Sequence, residues 1–212
     1  MTAKIWSNVQ IAVQSALAAA KTITAITKAS PAVATSTAHG YVNGDYLVLA
    51  VLGMFELDNR TVRVANVTAN TFELEGIDST AYTTFTSGTA QAITFGTTLS
   101  NISDVNVSGG DFDQIDVTTI HDNVKKTIPG TASPINIGMT ANWDPTDAGM
   151  VALKTASDAR AQRAVRVTFS DGTKWLFTGY IGATNAPTGS GQQKVTTPLT
   201  ISVFGRTTTY AT

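Results

Sequence analysis

The chain has 212 residues, enough for one domain of ordinary size or for a core with a small second module. Charged residues make up only 14% of it and the formal net charge is −1, so no overall field would recruit nucleic acid or acidic lipid, and sequence-specific DNA binding is disfavoured. The absence of cysteine excludes disulfides, thiolate metal sites and thiol nucleophiles. Abundant Thr and Val, with 17 Gly for turns, favour a mainly β fold.

The N-terminal segment predicts a strand over residues 5–13, where Ile5, Val9, Ile11 and Val13 alternate with polar or small residues. The Ala-rich stretch that follows, through Ala20, fits a short helix or a continued strand equally well. Polar residues interrupt the run that an export signal would need, so none is expected. The longest apolar run, residues 46–55, is much shorter than the roughly 20 residues of a membrane helix. We therefore expect a soluble protein with no membrane contact.

Residues 24–93 have the texture of a compact all-β module. Turn signals at His39-Gly40, Asn43-Gly44 and Asp58-Asn59 separate the short runs YLVLAVL, RTVRVANV and NTFELEGI. The region contains, in this order, the pieces AHG, NGD, GMFELDNR and NTFEL. Together they resemble a small β domain of phage structural proteins. That domain is itself similar to the FCCH domain of ubiquitin-activating enzymes. The resemblance implies a contact or decoration module, and no adenylation site accompanies it.

Strands resume after Thr94 with TLSNISDVNVSG and FDQIDVTTI. The next segment, residues 121–134, has two Lys, a Pro-Gly pair and no apolar period, and it predicts a long loop or a mobile hairpin before the strand PINIGMTANW.

One helix is predicted near residues 145–156, with Asp144 as N-cap, Pro145 in the first helical position and Asp147 in the first turn. After it, AVRVTFSDGTKWLFTGYIG predicts a hairpin that turns at residues 170–173. A Gly/Ser-rich loop over residues 187–193 leads to a last strand around Leu199, Ile201 and Val203.

Three pieces follow one another along the chain: IDVTTI before a Pro-Gly loop, DPTD opening the helix, and VRVTFSDGTKWLFTGYIG. In this order they are similar to the tail tube proteins of lambda-like siphophages. The resemblance spans residues 94–212 and the first strand. It implies a mainly β fold: a tail-tube β-sandwich or barrel-forming core, residues 1–23 and 94–212, with one flanking α-helix. Residues 24–93 form a small all-β inserted domain, expected on the tube exterior.

The family resemblance also implies a structural virion protein. Six copies would form a ring, and stacked rings would form the tail tube through which the genome is ejected. Its implied partners are itself and the tape measure, tail-tip and tail-terminator proteins, with DNA passing without specific binding. The protein would be assembled in the bacterial host cytoplasm and reside in the phage tail.

Two sets of site residues follow. The 121–134 segment resembles a family loop that orders against neighbouring subunits, which gives the inter-subunit candidates Asp122, Asn123, Lys125, Lys126, Thr127 and Ile128. Residues 94–123 contain five Asp and no Lys or Arg. An acidic lumen would repel phosphates, so Asp111, Asp113 and Asp116 are candidates for its lining; solvated turns explain the same charges equally well.

No enzyme is predicted. His39 fits a turn and His121 a solvated or interface position, and the three Asp lack the glycine and closing Glu of an EF-hand, so no catalytic, metal or cofactor residues are assigned. The alternative function is a surface-exposed binding or decoration module that recognises host glycan; exposed aromatic residues and a monomeric state would favour it.

Overall fold

A computed structural model describes residues 6–211. The fold is mainly β, as predicted, with two large sheets, a separate two-stranded ribbon and one α-helix in the part of the chain that is described. The strands are β1 Gln10–Val13, β2 Ala16–Leu17, β3 Lys21–Ile23, β4 Ala25–Ile26, β5 Ala32–Thr35, β6 Tyr46–Leu52, β7 Thr61–Ala65, β8 Thr71–Leu74, β9 Ser87–Thr94, β10 Thr97–Leu99, β11 Ile102–Ser108, β12 Phe112–Asp116, β13 Thr127–Ala132, β14 Asn136–Asn142, β15 Gln162–Thr168, β16 Lys174–Ala183, β17 Thr196–Val203 and β18 Thr208–Tyr210. The helix α1 spans Ala148–Asp158, and a 3-10 turn spans Phe55–Leu57.

The first sheet, which we call the core sheet, has the strand order β10-β1-β15-β16-β17-β14-β11, with β18 also paired to β16. All its pairings are antiparallel. The two ends of this order, β10 and β11, are consecutive in the chain and joined by Ser100 and Asn101. The sheet therefore curls back toward itself around one apolar cluster.

The second sheet, the module sheet, has the order β2-β9-β6-β7-β8-β5-β4, with β3 also paired to β9. Its own apolar cluster includes Phe72, Leu47, Leu49 and Met54, all fully buried. Strand β6 shows the alternation that its sequence predicts, since Leu47, Leu49 and Val51 point into this cluster. The runs that predicted strands in this region correspond to β6, β7 and β8.

The N-terminal prediction is confirmed in part. Strand β1 covers Gln10–Val13, and Ile5, which was included in the predicted strand, lies outside the described residues. The Ala-rich stretch through Ala20, for which helix and strand were both open, holds the short strand β2, and β3 begins directly after it; both pair with β9 of the module sheet.

Strands β12 and β13 form a ribbon that pairs with neither large sheet, so the 121–134 segment is part of a hairpin, one of the two predicted alternatives. Gly109 and Gly110, with φ of +84° and +88°, lie between β11 and β12. A Cβ on Gly109 would lie 2.2 Å from the carbonyl oxygen of Pro134, so the position requires glycine. This bend directs the ribbon away from the core sheet.

The predicted helix start is wrong by one turn. Asp147, not Asp144, is the N-cap: its carboxylate accepts from the backbone N–H of Met150 at 2.9 Å. The Asp144 carboxylate instead accepts from the N–H and hydroxyl of Thr146, which closes a turn before the helix. Asp147 also accepts from the side chains of Ser100 and Asn101, and this tertiary contact fixes where the helix begins.

Helix α1 buries Met150, Leu153 and Ala156 against the core cluster. It lies so close to β10 that a Cβ on Gly149 would meet the carbonyl oxygen of Thr98 at 2.7 Å. The β15–β16 hairpin turns where it was predicted to, with Gly172 at positive φ and the Asp171 side chain accepting from the N–H of Thr173. Strand β18 was not predicted.

Candidate assembly surfaces

The β12–β13 hairpin is exposed along nearly its whole length. In β12 every residue is exposed, and in β13 only Gly130 is half-buried. The hairpin is held by its own ladder, in which Ile115 pairs with Ile128 and Asp116 with Thr127, and by a bond from the Val117 N–H to the Lys126 carbonyl. A ribbon of two strands is marginally stable alone, so this one has the features of an element completed by a partner.

Large apolar side chains are concentrated on this hairpin. Ile120 is 96% exposed and Val124 74% exposed, and both are near its tip. The other exposed apolar residues of the hairpin are Phe112, Ile115, Val117 and Ile128. Single exposed apolar residues are ordinary, but a concentration on one projecting element is typical of a protein contact surface.

The tip carries an ordered polar turn. Asp122 accepts from the N–H and hydroxyl of Thr119, both at 3.0 Å, and from the Lys126 ammonium. These contacts hold the pKa of Asp122 below its ordinary range, and the hydrogen bond from Lys126 has the largest effect. Asp116 is similar, because the hydroxyl and N–H of Thr118 lower the pKa of its carboxyl. The turn is therefore shaped locally while its apolar residues face solvent.

The predicted inter-subunit residues are together on this hairpin. Asp122 and Lys126 pair with each other; Asn123 and Lys125 stand beside them, exposed, and Thr127 and Ile128 open β13. Of the predicted lumen residues, Asp111 and Asp113 lie toward the base of the hairpin, whereas Asp116 pairs with Thr127 beside the tip; all three are exposed. Whether either group meets a neighbouring subunit or DNA stays a prediction.

Strand β11 forms a free edge of the core sheet. It pairs with β14 on one side only among residues 6–211, through six of its seven residues. Beside it, a cleft of about 290 Å³ separates β11 from the segment that enters β1, lined on its two sides by Trp6, Val9 and Ile11 and by Ile102 and Val105. An unprotected edge of this length is normally covered or paired in a stable protein.

A third surface is already occupied within the chain, because the module sheet packs on the outward face of β15, β16 and β18. The hydroxyls of Thr61 and Thr178 are 2.8 Å apart and buried. The Tyr210 hydroxyl accepts from the backbone N–H of Arg63 at 2.7 Å, and Arg60 Nε donates to the Thr208 hydroxyl at 2.9 Å.

Aromatic contacts reinforce this docking. The Arg63 guanidinium lies 4.6 Å from the Tyr210 ring centroid, and that of Arg166 lies 4.8 Å from the ring centroid of Phe95. Burial raises the pKa of Tyr210 to about 12. Sequence reasoning missed this surface, although one signal was present: in KWLFTGYIG both Leu176 and Phe177 are apolar, as expected for a strand that is covered on both faces.

Two properties of residues 6–211 concern metal binding and membrane-spanning helices. They contain no group of three or more His, Asp or Glu arranged to hold a metal ion. None of their helices is long and apolar enough to cross a bilayer. His39 is buried, and its Nδ1 accepts from the N–H of Tyr41 two residues on, which matches the turn role expected of it.

A comparison with family models matches residues 53–212 to the phage tail tube protein family. This stretch covers about three quarters of the chain and includes the whole region of the predicted tail-tube pieces. The chain therefore belongs to the phage tail tube protein family, a structural family, which implies a non-enzymatic role and a place in the phage tail. Among curated proteins, no match is found.

Proposed function

We propose that this chain self-assembles into stacked rings, six copies to a ring, and that the stacks form the tail tube through which the phage genome is ejected. The observation that carries the proposal is the pair of incomplete elements on one chain: the free edge of β11 and the exposed apolar β12–β13 hairpin. Pairing edge to edge and docking the hairpin on a neighbour would satisfy both at once.

The free edge and the hairpin are continuous in the chain, which favours separate contacts for each of them. Strand β11 runs through the Gly109–Gly110 bend into β12, and β13 returns into β14, the strand paired with β11. A neighbour that extends the core sheet at β11 would therefore also lie near the base of the hairpin. Lateral pairing within a ring is assigned to β11, and contact with an adjacent subunit or ring to the hairpin.

The module of residues 24–93 is proposed to lie on the tube exterior, on the side of the core that β15, β16 and β18 present. The partners proposed are further copies of the chain, the tape measure, the tail-tip and tail-terminator proteins, and passing DNA. Assembly would take place in the cytoplasm of the bacterial host. The lambda-like, flexible-tailed type of phage is proposed from the resemblance of residues 94–212.

The experiment is negative-stain electron microscopy with sedimentation, on the purified chain at rising concentration. The expected result is hollow tubes or stacked rings of uniform width, formed cooperatively. A chain that stays monomeric, also when mixed with a tail-initiator complex, would overturn the proposal. The alternative, glycan recognition by the module, would then gain weight, since Phe55 on that module is 69% exposed.

A further inference from the structure

The turn between β17 and β18 contacts both the module and the base of the β12–β13 hairpin, residues 133–135. Val203, directly before the turn, donates its backbone N–H to the carbonyl oxygen of Ile135 at 2.8 Å. On the other side, a Cβ on Gly205 would lie 3.0 Å from the carbonyl oxygen of Asp58 in the module. Core, module and hairpin base therefore meet at this turn.

A cleft of about 420 Å³ opens beside the turn. One side of the cleft is the hairpin base, with Pro134 and Ile135, and the other side is the turn itself, with Phe204 and Arg206. The side chains of Phe204 and Arg206 are both exposed. The cleft thus combines an exposed aromatic ring with an exposed cation.

The module continues this surface with apolar residues of its own. Phe55, in the 3-10 turn, is 69% exposed, and Leu52, at the end of β6, is 64% exposed. The Phe55 N–H donates to the Thr83 hydroxyl at 3.3 Å, and the N–H and hydroxyl of Thr83 donate to the Glu56 carboxylate. The turn that carries Phe55 is therefore ordered, although the Phe55 ring faces solvent.

Arg206 connects the cleft with the apolar residues of the module. Its guanidinium lies 5.7 Å from the ring centroid of Tyr82 and attracts the carboxylate of Glu56, the neighbour of Phe55 in the chain. The two parts therefore form one continuous surface across the module and the core. We call it the junction surface, and it consists of Leu52, Phe55, Phe204 and Arg206.

The junction surface and strand β12 of the hairpin are complementary in polarity and charge. Residues 111–116 contain three Asp and no Lys or Arg, and Phe112 and Ile115 among them are exposed. The junction surface offers exposed apolar side chains together with the cation of Arg206. Opposite charges across an interface orient the two partners and disfavour wrong pairings. Because the chain's own hairpin base forms one side of the cleft, the strand that fills it has to come from a second copy.

We propose that the junction surface is the docking site for strand β12 of a second copy. Arg206 faces the carboxylates of that strand, and Phe55 and Phe204 pack against its apolar residues. Aromatic residues and Arg are the types enriched at the centres of protein interfaces. This inference rests on the proposed function and deepens it, because it makes the module a part of the assembly contact in addition to its place on the exterior.

The chain has no cysteine, so a single introduced thiol can carry a photo-cross-linker. Phe55→Cys, labelled with benzophenone maleimide, is mixed as a minor fraction with heavy-isotope-labelled wild-type chain, and the assembled tubes are irradiated. Mass spectrometry should place the cross-link on residues 111–132 of a heavy copy. Val42→Cys is the matched control, since Val42 is 61% exposed on the same module but lies before the start of β6, whereas Phe55 follows its end. It should give no cross-link to that hairpin.

Three results in assembled tubes would overturn the inference. Phe55→Cys could cross-link to the hairpin of its own light chain, to another part of a heavy copy, or to no protein at all. Equal cross-linking of the hairpin by Val42→Cys would overturn it as well. Failure of the proposed function is a different result, in which the wild-type chain forms no tubes.

The charge pairing has its own test. Arg206→Glu should raise the protein concentration needed for tube formation on the order of tenfold, because it sets carboxylate against carboxylate. Arg206→Lys keeps the cation and should stay close to wild type. Adding Asp113→Arg to Arg206→Glu should recover most of the loss, with urea unfolding showing that the variants are folded. Unchanged assembly of Arg206→Glu, or no recovery in the double variant, would refute the pairing.

Discussion

The hydroxyls of Thr61 and Thr178 lie 2.8 Å apart, fully removed from solvent, and connect the module sheet to the core sheet. Each hydroxyl is the polar partner of the other across the two sheets. Their contact shows that the module is docked on the core and not merely tethered to it. The surface around it adds the Tyr210 and Arg60 hydrogen bonds and the Arg63 ring contact.

The Thr61–Thr178 contact predicts a non-additive pair of substitutions. Thr178→Val alone leaves the Thr61 hydroxyl buried without its partner and should lower the free energy of unfolding by about 1–3 kcal/mol. The double variant Thr61→Val with Thr178→Val should be close to wild type, because both hydroxyls are replaced by methyl groups of similar shape. Urea unfolding of the four proteins in a double-mutant cycle measures the coupling. A double variant as unstable as the sum of the singles would refute a direct bond.

Alkaline pH should destabilise the docked state. Burial raises the pKa of Tyr210 to about 12, above its ordinary value of 10.0, so the folded protein holds this proton more tightly than the unfolded chain. The resulting stability is fully present below pH 10 and is lost as the pH rises from about 10 to about 12.

Thermal unfolding between pH 8 and pH 11.5 should therefore show Tm falling above pH 10, and more gently in Tyr210→Phe. That variant should also be less stable at neutral pH by about 1 kcal/mol, since the Arg63 N–H loses its acceptor. Burial also raises the pKa of Tyr41 to about 12, so part of the fall of Tm with rising pH should remain in Tyr210→Phe. Identical slopes in both proteins would contradict the assignment to Tyr210.

The helix cap predicts unequal effects of two aspartates separated by only three residues. Asp147→Ala should cost about 1–2 kcal/mol, because it removes the cap of α1, together with the bonds from Ser100 and Asn101. Asp144→Ala breaks only a local turn and should cost about 0.5 kcal/mol or less. Chemical denaturation of both variants provides the comparison; a larger loss in Asp144→Ala would restore the start that the sequence alone suggested.

The hairpin predicts a separation of assembly from folding. Replacing Ile120 and Val124 by Ser removes apolar groups that are exposed in the subunit, so unfolding free energy should change by about 0.5 kcal/mol or less. Assembly should weaken, seen as a higher protein concentration for tube formation in sedimentation. Val42→Ser, an equally conservative change at an exposed module residue, is the control and should assemble normally. Unchanged assembly in the hairpin variant would remove this element from the subunit contacts.

Much of the fold could be predicted because its strands follow local patterns. Alternating apolar residues predict the strands β6 and β17, and the Asp-Gly pair predicts the chain reversal between β15 and β16. Each of these signals lies within a few residues. Strand β18 could not be found this way, since Thr208–Tyr210 is only three residues long and is ordered by its pairing with β16. Both Asp144 and Asp147 satisfy the local capping pattern, and contacts from distant Ser100 and Asn101 distinguish them.

Of the candidate surfaces, the hairpin was predicted and the docking surface was not. The loop residues around Lys126 were located from a family resemblance, and the structure gathers them on one hairpin. The docking surface depends on which face of β16 meets the module, and that relationship joins residues more than a hundred positions apart, such as Arg63 and Tyr210. No local pattern carries such information, although the doubly apolar β16 indicates that some partner exists.

Strands β1 and β10 are paired, with Val13 opposite Thr97. The residues between these two strands, which include the whole module sheet, therefore occupy the position of a hairpin loop. A short loop at this position would keep the same pairing of β1 with β10. The core can in principle exchange this excursion for another domain, or for a two-residue turn, without changing a single strand pairing of its own. What such an exchange must replace is the cover over Ala164 and Leu176, both of which are fully buried.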